Sequence, residues 1–234
     1  MHARVSDLVL VQGIKDTRTT LADWNRRPGA VVGDWVAASC LISLALLSAV
    51  LVIATLVTPD PTPVLLPGLQ EPGHLGDVAH VLLRNSLVLA LHGFACVAGF
   101  IAGSSLPLTA EQHTGVWRWI HEKAGPLAIG FVVCATGFSL VTQAWVLGGA
   151  ASTLSGQLDI SPALLVLGIL PHAVPELIAL FLPLAAWMIA SRRGEWEQLL
   201  AATFVTVALA APVLIAASAI EVYVTPHVLR SFAG

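Results

Sequence analysis

Five long apolar stretches dominate this sequence and limit what it can fold into. They cover about residues 35–58, 78–106, 126–150, 162–190 and 199–224. A helix needs about 20 mainly apolar residues to cross the hydrocarbon core of a bilayer, and each stretch reaches that length. Because 56% of the residues are hydrophobic and 11% are charged, the chain carries more apolar surface than a water-soluble fold can hide. The sequence therefore predicts an all-α, polytopic integral membrane bundle of about five transmembrane helices that contact the lipid bilayer.

The segments at the two ends of this apolar region are polar. Near the start of the chain, apolar residues recur with partial helical spacing, and Pro28-Gly29 ends that pattern. We expect residues 1–34 to form a cytoplasmic amphipathic segment that lies on the membrane surface. Residues 35–226 then form the transmembrane helical domain, and residues 227–234 form a short tail.

The basic residues are distributed unevenly among the polar segments. If the N-terminus is cytoplasmic, nine of the 11 Lys and Arg residues fall on the cytoplasmic side, and Arg84 and Arg230 fall on the other. Since cytoplasmic segments carry the excess of Lys and Arg, this bias predicts a cytoplasmic N-terminus and a C-terminus outside. The formal net charge of -3, with no basic patch interleaved with aromatic residues, argues against a nucleic-acid partner.

Four ionisable side chains interrupt the apolar stretches: His92, His172, Glu176 and Glu221. Such groups are costly at membrane depth and usually mark a functional site. His172 and Glu176 are four residues apart and therefore share one face of a helix. Counting about 1.5 Å per residue, we expect all four groups to meet in the outer half of the bilayer.

Two prolines, Pro171 and Pro175, accompany this pair in the fourth apolar stretch. Proline removes a backbone donor and disturbs the helical hydrogen-bond ladder. We expect the fourth helix to be broken here, which would free carbonyl groups and make room for water or a ligand.

These residues admit two interpretations. In the first, His172 pairs with Glu176 and Glu221 pairs with Arg84, so that a buried polar cluster fixes the helix packing. In the second, the side chains of His92, His172, Glu176 and Glu221 hold a zinc ion, since imidazole and carboxylate four residues apart can reach one metal. One of the two glutamates would then act as the catalytic base that activates a bound water, and the sequence does not decide which.

Three stretches carry a resemblance to a known family. They are Leu83-Arg84-Asn85-Ser86 with the span of small residues after it through Gly93, Gly99 and Gly103, the run from Gly168 to Leu177 that contains Pro171-His172-Ala173-Val174-Pro175-Glu176, and the closing run from Ala216 to Pro226 that contains Ile220-Glu221. In these stretches the chain resembles the stage II sporulation protein M family of bacterial membrane proteins, although Ala173 stands where that family usually has glycine. The resemblance implies a multi-pass protein of the bacterial cytoplasmic membrane. The family motif residues match His172, Glu176 and Glu221, whereas His92 has no counterpart in it.

Two functions from different classes fit these observations. The first is a membrane-embedded, zinc-dependent peptidase that acts on a small peptide precursor, for example in the maturation or leader removal of a ribosomally made peptide. The alternative is a non-enzymatic membrane scaffold, immunity protein or export component of the cell envelope. In either case five spans with a polar interior would benefit from a second copy or from a membrane partner protein, so we expect a homodimer or such a complex.

Overall fold

The computed structural model describes residues 9–105 and 114–233, and within these ranges it contains helices and no strand. The described residues form seven α-helices, with a π-helical turn at Ile101–Ser105 and a 3₁₀ turn at Trp196–Gln198. Their bounds are α1 Val9–Trp24, α2 Pro28–Leu56, α3 Leu75–Phe100, α4 Gly115–Gln157, α5 Pro162–Arg193, α6 Leu199–Tyr223 and α7 Thr225–Phe232. The all-α prediction is confirmed.

Five helical stretches are long and apolar enough to cross a bilayer. They are Pro28–Leu56, Leu75–Gly103, Lys123–Gln157, Pro162–Arg193 and Trp196–Phe232. Large apolar side chains are exposed along them, for example Leu91 on α3, Phe131 and Phe138 on α4, and Phe204 on α6. Exposed apolar surface of this extent is the surface that lipid covers in a multi-pass membrane protein.

Helix bounds differ from the sequence-based ones at both ends of the membrane domain. The first apolar helix begins at Pro28, seven residues before the expected boundary at residue 35. Proline at the first helical position needs no hydrogen-bond partner for its nitrogen and has a φ suited to a helix, so it starts this helix instead of only ending the previous one. At the other end, the expected boundary at residue 226 falls inside α7, which begins at Thr225.

The fourth apolar stretch is also different from expectation. It forms one continuous helix, α5, through Pro171, Pro175 and Pro183, so the predicted break is wrong. Each proline removes one donor, but the neighbouring backbone hydrogen bonds persist, and helices inside a membrane tolerate this loss when packing supports them. Buried residues on both sides of the prolines, such as Ala173 and Leu180, supply that packing.

The chain divides into two compact units, and each unit takes one part of every membrane-spanning helix. The first unit consists of residues Met1–Ala38, Leu89–Ala135 and Phe181–Leu209. Its core is built from Trp35, Leu182, Ala185, Ala186 and Ala202, with Trp24 packed against it. The rings of Trp24 and Trp35 meet edge to face at 5.2 Å, which joins α1 to the start of α2.

Close helix contacts in the first unit depend on glycine. A Cβ added at Gly99 would lie 2.6 Å from Nε1 of Trp187 and 2.8 Å from Leu199. Nearby, the Cys96 thiol donates a hydrogen bond to the carbonyl of Pro183 at 3.0 Å. Small residues of this kind let membrane helices approach closely, because packing provides most of their attraction.

The second unit consists of residues Ser39–Val88, Thr136–Leu180 and Ala210–Gly234. It contains the loop after α2, which is anchored to α4 by two hydrogen bonds. The Ser152 hydroxyl donates to the carbonyl of Val57 at 2.6 Å, and the Asp60 amide donates to the Thr153 hydroxyl at 3.0 Å. Farther along the same loop, the carbonyls of Gly68 and Leu69 accept hydrogen bonds from Arg230 of α7 at 2.7 and 2.8 Å.

Candidate functional site

Three of the four residues selected from the sequence belong to the second unit. His172 and Glu176 lie on α5, and Glu221 lies on α6. They are joined there by Arg84 and Asn85, which lie on the part of α3 that belongs to the same unit. We refer to these five residues as the polar cluster of the second unit.

His172 is held by a residue that the sequence did not single out. Its Nδ1 lies 2.7 Å from the hydroxyl oxygen of Thr225, the first residue of α7, and the imidazole is 8% exposed. If Nδ1 carries the proton and donates to Thr225, Nε2 remains as an acceptor or ligand atom. If the hydroxyl donates instead, Nε2 carries the proton. In both tautomers the contact fixes the orientation of the ring.

Glu176 is the most constrained member of the polar cluster. Its Oε2 is buried and has no hydrogen-bond partner. The carboxyl group lies close enough to Glu221, Asn85 and Arg84 to interact with each of them electrostatically. A buried carboxyl oxygen without a donor is costly, so this position favours binding a proton, a cation or a donor group of a ligand.

Glu221 and Arg84 form the more accessible side of the cluster. Glu221 is half-buried and interacts with Arg84, whose side chain is exposed. Arg84 also interacts with Glu176, so one arginine interacts electrostatically with two carboxyl groups. The polar-cluster interpretation expected Glu221 to pair with Arg84; the two groups interact electrostatically, and a direct ion pair between them stays a prediction.

Asn85 is a residue of the cluster that sequence reasoning missed as a candidate. Its side-chain amide is buried beside the Glu176 carboxyl and interacts with it as a hydrogen-bond donor, but Nδ2 has no partner at standard hydrogen-bond geometry. The available signal was its position: a carboxamide within an otherwise apolar stretch, one residue after Arg84. An unpaired donor and an unpaired acceptor therefore lie side by side.

His92 belongs to the first unit. It is 3% exposed, and its ring packs against Phe181 with centroids 5.5 Å apart. These contacts are those of a histidine packed in a helix core. That His92 shares a site with His172 stays a prediction.

The zinc site expected from the sequence requires several ligand side chains to lie close together. In the part of the chain that the structure describes, no group of three or more His, Cys, Asp or Glu residues is placed to hold a metal ion. Structural and catalytic zinc sites take at least three protein ligands. Zinc binding by His92, His172, Glu176 and Glu221 stays a prediction from the sequence.

In comparisons with known proteins, no family model, no curated protein and no solved structure matches this chain. The resemblance to the stage II sporulation protein M family accordingly stays a prediction. What supports a function is the arrangement of side chains in the polar cluster.

Proposed function

We propose that this chain is a membrane protein that binds an apolar peptide segment at the polar cluster of its second unit. Such binding serves a scaffold, immunity or export role in the cell envelope, and it is also the first step that a peptidase needs. The membrane position suits a segment that is itself apolar, because the surroundings of the cluster are apolar.

The observation that carries the proposal is the adjacent pair of unpaired groups. Asn85 Nδ2 offers N–H donors, and Glu176 Oε2 offers an acceptor. In an extended peptide the N–H and the C=O of one residue point to the same edge, so a single residue of the segment can satisfy both groups. Pairing them would remove a cost of about 1–3 kcal/mol for each buried group.

The test uses two synthetic probes in detergent: an uncharged, apolar ten-residue peptide, and the same peptide with its backbone nitrogens methylated. We expect the purified protein to bind the unmethylated peptide at least about tenfold more tightly, because leaving a buried hydrogen-bonding group without its partner costs about 1–3 kcal/mol. Fluorescence anisotropy of labelled peptides measures both affinities.

Variants localise the binding. Asn85→Leu is expected to weaken binding of both peptides, because the amide that donates to the peptide carbonyl is lost, and to leave the discrimination in place, because that depends on the acceptor of Glu176. Gln143→Leu is the matched control, because Gln143 is also a carboxamide in a membrane helix but bonds to Ser139 at 3.0 Å, outside the cluster. Equal binding of the two peptides, or equal effects of the two variants, would contradict the proposal.

A second candidate is the zinc-dependent peptidase expected from the sequence, and one contact favours it. Metal-bound histidines commonly donate their other ring nitrogen to an oxygen, and the Thr225 hydroxyl could accept such a bond from His172. Glu176 and Glu221 would be the catalytic carboxyls in this candidate. Elemental analysis of the purified protein tests it: about one zinc per chain, lost in His172→Ala, supports a metallopeptidase, and its absence leaves peptide binding as the function.

A further inference from the structure

A cavity in the second unit lies apart from the polar cluster. It has a volume of about 420 Å³, which is in the usual range for small-molecule sites. Eight residues line it: Pro63, Leu65, Leu69, Gln70, Leu154, Gln157, Leu158 and Arg230. Five of these side chains are apolar and three are polar, of which Arg230 carries the charge.

The two glutamines of the lining are already used by the loop. With the oxygen and nitrogen of its amide exchanged, which is the orientation that the neighbouring groups favour, Gln157 donates to the carbonyl of Val64 at 3.2 Å and accepts from its amide at 2.8 Å. Gln70 accepts from the amide of Leu66 at 3.2 Å and donates to the carbonyl of Val64 at 3.3 Å. Because both amides are engaged with the backbone, they hold the cavity wall in place and offer little to a ligand.

Arg230 keeps donors for a ligand. Its Nη2 makes the two hydrogen bonds to the carbonyls of Gly68 and Leu69. A guanidinium has five N–H donors, so three remain, two on Nη1 and one on Nε. The two carbonyl bonds fix the group without neutralising it, since carbonyls carry no net charge. A fixed positive charge beside apolar walls selects a ligand with an apolar chain and an anionic head.

The cavity also lies beside the ends of two of the long apolar helices. α2 ends at Leu56 and α4 ends at Gln157, and the loop between α2 and α3 is tied to that end of α4. The ends of two membrane-spanning helices mark the boundary between hydrocarbon and water. α7 carries Arg230 close to its C-terminal end, as an amphipathic helix at a membrane surface would.

We propose that this cavity binds an anionic phospholipid, with an acyl chain against Leu65, Leu69 and Leu158 and the phosphate at Arg230. The occupant follows from charge complementarity and from position: a bilayer supplies this chemistry at this depth, at high local concentration. Arginine is suited to the task because its planar donors match phosphate oxygens.

Lipid binding to the full-length protein in detergent is measured by native mass spectrometry with three probes: phosphatidylglycerol, phosphatidylcholine of the same chains, and inorganic phosphate. We expect phosphatidylglycerol to bind at least about fivefold more tightly than phosphatidylcholine, the ratio that corresponds to about 1 kcal/mol per basic residue. Inorganic phosphate alone is expected not to bind, because it cannot use the apolar walls. Binding of phosphate as tight as that of the lipid, or equal binding of the two lipids, would overturn the proposal.

Three variants test the contributions of the charge and of the cavity separately, and a fourth is the control. Arg230→Gln is expected to remove the preference for the anionic lipid, and Arg230→Lys is expected to keep part of it. Leu65→Trp fills the cavity from an exposed position and is expected to reduce the binding of both lipids while Arg230 is unchanged. Arg193→Gln, in the first unit, is the control for a general loss of positive charge. If Leu65→Trp left lipid binding unchanged, or if Arg193→Gln had the effect of Arg230→Gln, the cavity would not be the site.

Discussion

The two units are built from parts of the same five membrane-spanning helices, yet their chemistry differs. The sequence ranges of the first unit hold nine of the 11 Lys and Arg residues, and those of the second hold Arg84 and Arg230. Buried side chains without partners occur in both, but those described in the first are the neutral donors Trp187 Nε1 and Ser191 Oγ. In the second they are Asn85 Nδ2 and a carboxyl oxygen of Glu176. Among the described residues, the buried group without a partner that can ionise is in the second unit, and this difference is the reason that our proposed function is placed there.

The largest expected effect concerns the side of the membrane on which each unit's loops lie. In a chain whose native cysteines are replaced by serine, we expect Glu71→Cys to react with a membrane-impermeant maleimide in intact cells. Glu197→Cys should react only after permeabilisation, because the excess of basic residues keeps its segment in the cytoplasm. Both positions are exposed. Labelling of both positions in intact cells would contradict the prediction that the two groups of basic residues lie on opposite sides of the membrane.

The next effect tests whether the first unit depends on close packing. Gly99→Ala should lower stability by about 1–3 kcal/mol, the cost of overpacking, because its Cβ meets Trp187 and Leu199. Gly130→Ala in the same unit has no neighbour within 4 Å and should be neutral or stabilising by up to about 1 kcal/mol. Thermal unfolding in detergent compares them, and equal melting temperatures would show that the Gly99 contact does not matter.

In the second unit we expect a substitution to increase stability. Glu176→Gln removes one of two neighbouring buried carboxyls and supplies an amide that can donate to Glu221, so stability should rise by about 1 kcal/mol. The exposed Glu197→Gln serves as the control and should have little effect. A loss of stability in Glu176→Gln would mean that the carboxyl is structural and not held for a ligand.

A smaller effect is expected at the surface of the first unit. Arg193 Nη2 lies 2.9 Å from Asp34 Oδ2, and both side chains are about half exposed. Asp34→Asn should lower stability by about 1 kcal/mol or less, and the difference from the native protein should shrink as salt is added. Unfolding at low and high ionic strength measures this, and an effect as large as that of Gly99→Ala would assign this pair a role beyond the surface.

The smallest effect is a pH dependence in the loop of the second unit. Hydrogen bonds from the backbone and side chain of Thr62 lower the pKa of Asp60 below its ordinary value of 3.8. Since the folded pKa is depressed, the bond that orders this turn is present above the ordinary pKa and is lost as the pH falls through the folded value. The amide chemical shift of Thr62 should follow this titration, and Asp60→Asn should abolish it. A midpoint at or above 3.8 would contradict the contact.

The sequence predicts the fold more fully than the site, for physical reasons. Long apolar stretches suffice to predict membrane helices, because a bilayer leaves few other structures available. Depth and helical spacing likewise placed His172 and Glu176 on one face. The contact of Asn85 with Glu176 and that of Thr225 with His172 each join two helices. The spacing of residues along one helix cannot predict such contacts. The continuity of α5 through three prolines similarly depends on packing from outside the helix.

The bond from Arg230 to Gly68 also has a consequence for biosynthesis. The two residues are separated by 162 positions. At about 5–20 residues per second, the ribosome needs roughly 8–32 s to make the chain between them. During that interval the Gly68 carbonyl lacks its donor Arg230, and the loop after α2 is not yet held by α7. Any segment that has to move past this loop before the bond from Arg230 forms can do so during these seconds.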